Sequence, residues 1–162
     1  IEETPLGTGG GLLLALKKYN VGNPFLLLNG DTFFAVELKT LIHSFHENDA
    51  DWVFSLFHTN DNKRYMGLKV SQSGKITSLN SSKNDEGILA NGGAYLINPG
   101  SLTKSKKIAG DKFSLEDDII PGALDSGQRL FGVEFSGAFI DIGIPKDYHR
   151  AFEVLTNHSS IK

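Results

Sequence analysis

The chain has no cysteine among its 162 residues, which excludes a disulfide framework and any thiolate metal site. That absence fits a reducing compartment, so a cytoplasmic location is expected. Positive charge is also in short supply. The formal net charge is -3, and the Lys and Arg residues are scattered rather than clustered. Binding a nucleic-acid backbone needs clustered cations, so no nucleic-acid partner is expected. No apolar run approaches the roughly 20 residues needed to span a bilayer, and no membrane partner is expected. The longest runs, such as Phe25-Leu26-Leu27-Leu28, have the length of a strand. No signal peptide, internal repeat, low-complexity tract or Pro/Ser-rich linker interrupts the chain, so residues 1–162 read as one domain. The sequence starts at Ile1 with no initiator methionine and no strand ahead of the first glycine cluster. The expectation is a partial domain whose N-terminal segment is absent, with an exposed sheet edge that invites self-association into a homo-oligomer.

What is present alternates between strand and helix. Gly7-Thr8-Gly9-Gly10-Gly11 reads as a flexible loop leading into a short helix from Leu12 to Lys18. Phe25 to Asn29 is a continuous apolar run between Pro24 and Gly30, expected to be a strand buried on both faces. Leu38, Leu41, Ile42 and Phe45 fall at helical spacing. Asp51 to His58 is a second interior strand, and Met66 to Val70 and Lys75 to Leu79 form a hairpin about Ser73-Gly74. A strand from Gly93 to Ile97 follows. Ser114 is placed to cap a helix with acids in its first turn. Leu130 to Phe135 and Ala138 to Ile142 are strands, and Pro145 opens the last helix. The pattern predicts an α/β fold: a Rossmann-like, mostly parallel mixed sheet with helices on both faces.

Chemistry in such sheets sits at the carboxyl ends of strands, which singles out two acids. Asp31 follows an apolar strand and Asn29-Gly30, where a carboxylate suits Mg²⁺ and Gly30 lets a ligand approach. A turn aspartate capping the next segment is the more ordinary reading of the bare pattern. Asp141 lies in Phe139-Ile140-Asp141-Ile142-Gly143, at an apolar strand end. There it must be metal-bound, salt-bridged or capping. Asn91-Gly92-Gly93 can read sugar hydroxyls or make a plain turn. Arg64, Lys69, Lys83 and Lys146 are candidate phosphate contacts. His43 and His46 fall on a solvated helix face, and no Gly-x-Ser-x-Gly elbow supports nucleophilic hydrolysis.

Five segments then occur in a telling order: Glu3 to Gly10, Leu28-Asn29-Gly30-Asp31, Asn91 to Leu96, Ser114 to Pro121 and Phe139 to Tyr148. Together they resemble the sugar-phosphate nucleotidyltransferases over essentially the whole chain. The wording Asn-Gly-Asp-Thr-Phe-Phe and Phe-Ile-Asp-Ile-Gly-Ile-Pro is most similar to the heptose 1-phosphate guanylyltransferases, with the mannose 1-phosphate guanylyltransferases next. The resemblance implies the nucleotide-diphospho-sugar transferase type of fold, here lacking its first strands. It implies transfer of a nucleotidyl group from a nucleoside triphosphate, with GTP favoured, to a sugar 1-phosphate. Pro5, Leu6, Gly7, Thr8 and Gly30 would then face the nucleotide. Asp31 and Asp141 would hold Mg²⁺ against the phosphates as the catalytic acids. Gly67, Lys83, Asn91, Gly93 and Glu116 would line or support the sugar pocket.

Two departures stand against that pattern. The family's opening Gly-x-Gly-x-Arg phosphate loop has no counterpart here, so the chain alone is expected not to turn over. The usual Glu-Lys pair before the Asn-x-Gly motif reads Asn80-Ser81-Ser82-Lys83, with Ser in place of Glu. The rival reading is a non-catalytic paralogue that keeps nucleotide-sugar binding or a regulatory role.

Overall fold

The computed structural model describes residues 4–61, 64, 65, 67–79, 88–103 and 109–159. Its centre is β3 (Trp52–Thr59), whose first six residues are buried on both faces. One side of β3 pairs with β7 (Leu130–Glu134) in parallel, and the other with the long β6 (Ile88–Ile97) antiparallel. On its far edge β6 carries two strands end to end. Its C-terminal half pairs with β1 (Phe25–Leu28), and its N-terminal half with β4 (Gly67–Val70), which pairs in turn with β5 (Ile76–Leu79). Thus β1, β3, β4 and β7 run one way while β5 and β6 run the other. The expected α/β sheet is present, but because β6 lies between its co-directional neighbours, β3–β7 is the directly bonded parallel pair among the described residues.

Helices cover both faces, as the fully apolar β3 requires. Trp52, Phe54 and Leu56 point to one core with Tyr95, Leu130, Phe113, Leu115 and Ile120, beneath α1 (Gly7–Lys18), a π-helical turn (Leu115–Ile119) and α4 (Ile120–Asp125). Val53 points the opposite way, onto Leu41 and Phe45 of α2 (Leu38–Glu47). A short helix, α3 (Pro99–Leu102), follows β6, and α5 (Pro145–Ser159) closes the fold. Ser114 caps the π-helical turn as expected: its Oγ accepts the N–H groups of Glu116 at 3.2 Å and Asp117 at 3.0 Å.

Two expectations are corrected. Residues Gly7 to Gly11 are the first turns of α1 rather than a flexible loop. Glycine disfavours helix by about 1 kcal/mol per residue relative to alanine, but packing overrides propensity here. A Cβ on Gly9 would stand 2.6 Å from the Phe113 ring, and one on Gly7, whose φ is +74°, would stand 2.5 Å from the Phe113 carbonyl oxygen. Close approach of α1 to the Phe113 backbone therefore needs the cluster, and the Gly9 N–H donates to that carbonyl at 3.1 Å. The second correction is β1, which is buried on one face only; Leu26 is 40 % and Leu28 60 % exposed. Along the stripe of α2, Leu41 and Phe45 are buried while Leu38 and Ile42 stay largely exposed.

Candidate functional site

The site is built on a break in β6. On one edge, β1 stops pairing at Leu28↔Ala94 and β4 starts at Gly67↔Ala90, leaving Asn91, Gly92 and Gly93 between them. On the other edge the register with β3 also slips. Phe54 faces Tyr95, but Leu56 faces Asn91, and the Ser55 Oγ accepts the displaced Ala94 N–H at 3.2 Å. Bulges of this kind re-aim side chains and are common beside active sites. Gly93 takes φ +77°, open to glycine, and its N–H donates to Asn91 Oδ1 at 3.0 Å. Asn91 thus lies in a bulged strand rather than a turn, its side chain bound to the backbone two residues on.

The interrupted edge gathers several residues that the sequence singled out. Gly67 begins β4 beside Ala90, and Asn29, leaving β1, donates its N–H to the Gly93 carbonyl at 2.8 Å. Tyr95, fully buried, receives a 2.5 Å hydrogen bond on its hydroxyl from Asn91 Nδ2. Burial pushes the Tyr95 phenol up; the Asn91 and Asn29 side chains pull it down, and the Glu116 charge adds to the rise. Glu116 therefore lies within electrostatic reach of this edge. Its Oε2 accepts from the hydroxyls of Thr8 at 2.9 Å and Ser114 at 3.2 Å, while the Thr8 Oγ1 accepts the Leu115 N–H at 2.8 Å. Glu116 and Thr8 clamp the start of α1 to the π-helical turn. In the segment before α1, Leu6 is buried and Pro5 exposed. Lys83 lies outside the described residues.

A separate two-stranded sheet brings the backbones of the two acids side by side. After Gly30 and Asp31, β2 (Thr32–Phe34) pairs antiparallel with β8 (Phe139–Asp141), Thr32 opposite Asp141. The Ile142 N–H donates to the Asp31 carbonyl at 3.0 Å. Strict alternation would put the two side chains on opposite faces. Asp31, however, precedes the strand, in the turn, where the pleat does not dictate direction. Its carboxylate is exposed and accepts from the Thr32 hydroxyl at 3.3 Å.

Asp141 is more tightly held. Its Oδ1 accepts the Gly143 N–H at 2.7 Å, and its Oδ2 lies 3.1 Å from Arg64 Nη2, which also donates to the Asp141 carbonyl at 2.8 Å. Arg64 Nη1 donates to Asp147, itself buried, which Arg150 approaches at 2.8 Å from its other oxygen. The salt-bridge reading of Asp141 is thus realised. Arg64, one of the candidate phosphate contacts, is engaged by acids. The Arg64 hydrogen bond holds the Asp147 carboxyl below the usual carboxylate range, against the opposing effect of burial. Sequence reasoning gave Asp147 no role, although it lies in the segment Phe139 to Tyr148 that carries the resemblance.

Mg²⁺ takes oxygen ligands, often one or two carboxylates completed by water and phosphate. The donors here fit that pattern: Asp31 is open to solvent, and each Asp141 oxygen, with one protein contact described, keeps lone-pair capacity. Among the described residues no group of three or more His, Cys, Asp or Glu side chains gathers to hold a metal. A two-carboxylate site is therefore the form a cation would use. A groove of about 680 Å³ between β5 and α4, lined by Lys75, Thr77 and Gln128 among others, includes none of the residues singled out above. No helix among the described residues is long and apolar enough to cross a membrane.

Comparison with known proteins agrees with the geometry. The nucleotidyl transferase family model matches residues 1–158. The D-glycero-alpha-D-manno-heptose 1-phosphate guanylyltransferase of Aneurinibacillus thermoaerophilus is 31 % identical over 98 % of this chain and 66 % of its own length. The crystal structure of HddC from Yersinia pseudotuberculosis superposes with a TM-score of 0.78 at 31 % identity, covering 96 % of this chain and 65 % of that one. The same protein complexed with GMP-PN gives 0.76 over the same shares. The chain spans a little under two thirds of the length of these relatives.

Proposed function

Because the chain belongs to the nucleotidyl transferase family, we propose that it forms the acidic and sugar-binding part of a sugar 1-phosphate guanylyltransferase. In the reaction, a phosphate oxygen of the sugar 1-phosphate attacks the α-phosphorus of GTP. The bond from that phosphorus to the bridging oxygen breaks, and pyrophosphate leaves with the electron pair. No protein nucleophile is required, so the chain's work is positioning and charge balance. Guanine is favoured by the names of the heptose relative and the GMP-PN complex, and heptose 1-phosphate by the former.

The observation that carries this reading is the β2–β8 pairing, which makes neighbours of two acids from opposite ends of the sequence. Asp31 and Asp141 would hold Mg²⁺, which, when bound, neutralises phosphate charge. The β6 break would take the sugar. Gly67 lies at its edge, the Asn29 side chain lies against Gly93, and Asn91 presents an amide already fixed through Tyr95 and Gly93. Glu116 and Thr8 would keep α1 in place beside the nucleotide.

The test is pyrophosphate release by the full-length protein, including any segment ahead of Ile1, with GTP and a panel of heptose, mannose and glucose 1-phosphates. Asp31→Ala and Asp141→Ala should each abolish Mg²⁺-dependent turnover while the thermal unfolding transition survives. Normal turnover in either variant would defeat the assignment. Binding of the nucleotide sugar without any turnover would instead favour a non-catalytic relative.

A further inference from the structure

The Asp141 carboxylate is not waiting empty-handed. A guanidinium already lies against it, and that guanidinium is anchored from several directions. Arg64 reaches both the carbonyl and Oδ2 of Asp141 through Nη2, at 2.8 and 3.1 Å, and holds Asp147 through Nη1. Its own N–H donates to Asp61 Oδ1 at 3.1 Å, and its guanidinium carbon sits 5.1 Å from the Tyr65 ring centre. Tyr65 packs edge-on against Phe57 and Phe139, with ring centres 5.2 and 5.7 Å away. Phe139 opens β8, the strand that ends in Asp141. The anchor and the acid thus share one strand and one aromatic cluster.

We propose that Arg64 is a positioning residue that stands in for the divalent cation at Asp141, orienting its carboxylate and disfavouring cation binding until a triphosphate brings compensating negative charge. The proposal rests on the cation reading given above and adds to it an order of events. Among the described residues, Asp141 and Asp147 face Arg64 and Arg150, with Asp31 on the adjoining turn and Asp61 at the Arg64 backbone, so the two guanidinium groups offset part of the acid charge. Across a single carboxylate, even the dielectric of water leaves a guanidinium and a dication repelling by roughly tenfold in affinity. A nucleoside triphosphate reverses that balance, because its phosphates supply both negative charge and further oxygen ligands. Arg64 need not leave for this to happen. Asp147 and the Tyr65 ring hold it while Asp141 accepts the cation on its remaining lone pairs.

The experiment is Mn²⁺ binding to the full-length protein, including any segment ahead of Ile1, read from the electron-spin resonance of free Mn²⁺, with and without GTP. Arg64→Met keeps the side-chain length and removes the charge. Without nucleotide it should bind Mn²⁺ about tenfold more tightly than the wild type, and GTP should enhance its binding less. Arg64→Lys keeps the charge but cannot fork across Asp141 and Asp147, so it should show a smaller gain of the same sign. This second variant decides the matter if Arg64→Met does not fold. Adding Asp141→Asn to either variant should cancel the gain. A purely structural role for Arg64 would give the opposite sign, weaker binding in both variants, and that result or an unchanged affinity overturns the proposal. If Asp31→Asn and Asp141→Asn still weaken Mn²⁺ binding with GTP, the cation site survives that failure. If neither does, the cation reading itself falls and takes the proposal with it.

Discussion

Gly92→Ala should destabilise the protein by about 1–2 kcal/mol, through one contact that also supports the candidate site. Gly92 lies in the β6 break, directly under Phe34 of β2. A Cβ there would overlap Phe34 Cδ1 and stand 2.6 Å from Cε1 and 2.9 Å from the Ser55 Oγ, where ordinary contact begins near 3.4 Å. The ring would have to retreat by most of an ångström. It has little room, because Phe57, Phe135 and Phe139 all meet it edge-on with ring centres 5.9, 6.0 and 5.5 Å away. Overpacking of this kind costs about 1–3 kcal/mol. Against it, replacing glycine by alanine removes freedom from the unfolded chain, worth about 0.4–1 kcal/mol.

Trp52 provides the assay. It is the only tryptophan and is fully buried, so its emission should shift to the red on unfolding. For a chain of this size the loss corresponds to a melting temperature lower by roughly 2–8 °C. Phe34→Leu in the same chain should recover part of it, with a coupling of about 0.5 kcal/mol or more, because the two residues meet at a single contact. A Gly92→Ala protein as stable as the wild type, or additive with Phe34→Leu, would refute the claim that Phe34 fills the space over Gly92.

Three further outcomes follow from named contacts. Gln128→Leu should cost about 2 kcal/mol in a urea titration, because it orphans the buried Trp52 Nε1 it accepts at 3.0 Å and the Ser101 carbonyl it donates to at 3.1 Å. Tyr95→Phe should cost about 1 kcal/mol near neutrality, since it strands the Asn91 amide. It should also flatten the alkaline limb of stability. The raised Tyr95 phenol contributes stability that is complete below the ordinary value of 10.0 and fades as pH climbs above it, and phenylalanine has no proton to lose. Asp147→Asn should lower stability at neutral pH and weaken the acid limb. The depressed Asp147 carboxyl contributes stability that is present above the ordinary 3.8 and lost as pH falls below it, a loss visible in urea midpoints across that range.

The sequence made Asp31 and Asp141 visible because each sits at the end of an apolar run, where a carboxylate needs a reason to be. The Ser114 cap and the Pro145 helix start were legible for a similar cause: both are local chemistry, decided within one turn. What escaped was decided by distant partners. Gly9 and Gly10 read as a loop because glycine weakens helices, yet the distant Asp111 and Phe113 fix them in one by leaving no space for a Cβ, Phe113 at Gly9 and the Asp111 carbonyl at Gly10. Leu26 and Leu28 read as interior because apolar runs usually are, while the exposure of one face of β1 depends on what lies over the sheet. Arg64 carried no periodicity at all. Only the folded chain brings it between Asp141 and Asp147.

That pattern bears on how the site tolerates change. Asp141 ends β8 and Asp31 immediately precedes β2, so both acids are tied to the small β2–β8 sheet rather than to the six-stranded one, and side chains of the two sheets meet. Phe139 of β8 stacks on Phe57 of β3 at 4.0 Å between ring centres, and Phe34 of β2 rests over Gly92 of β6. The aromatic cluster is therefore a physical link between the buried β3 and the strands that carry an exposed Asp31 and a partly buried Asp141. Substitutions that loosen it, Phe57→Ala or Phe139→Ala, remove no ligand and no polar contact of the acids. They would still free the short strands to shift relative to β6. Placement of catalytic groups within a fraction of an ångström governs rate more steeply than it governs folding. The candidate site should accordingly fail at a smaller loss of stability than the fold does, and it should fail from the aromatic side before the β3–β7 core is disturbed.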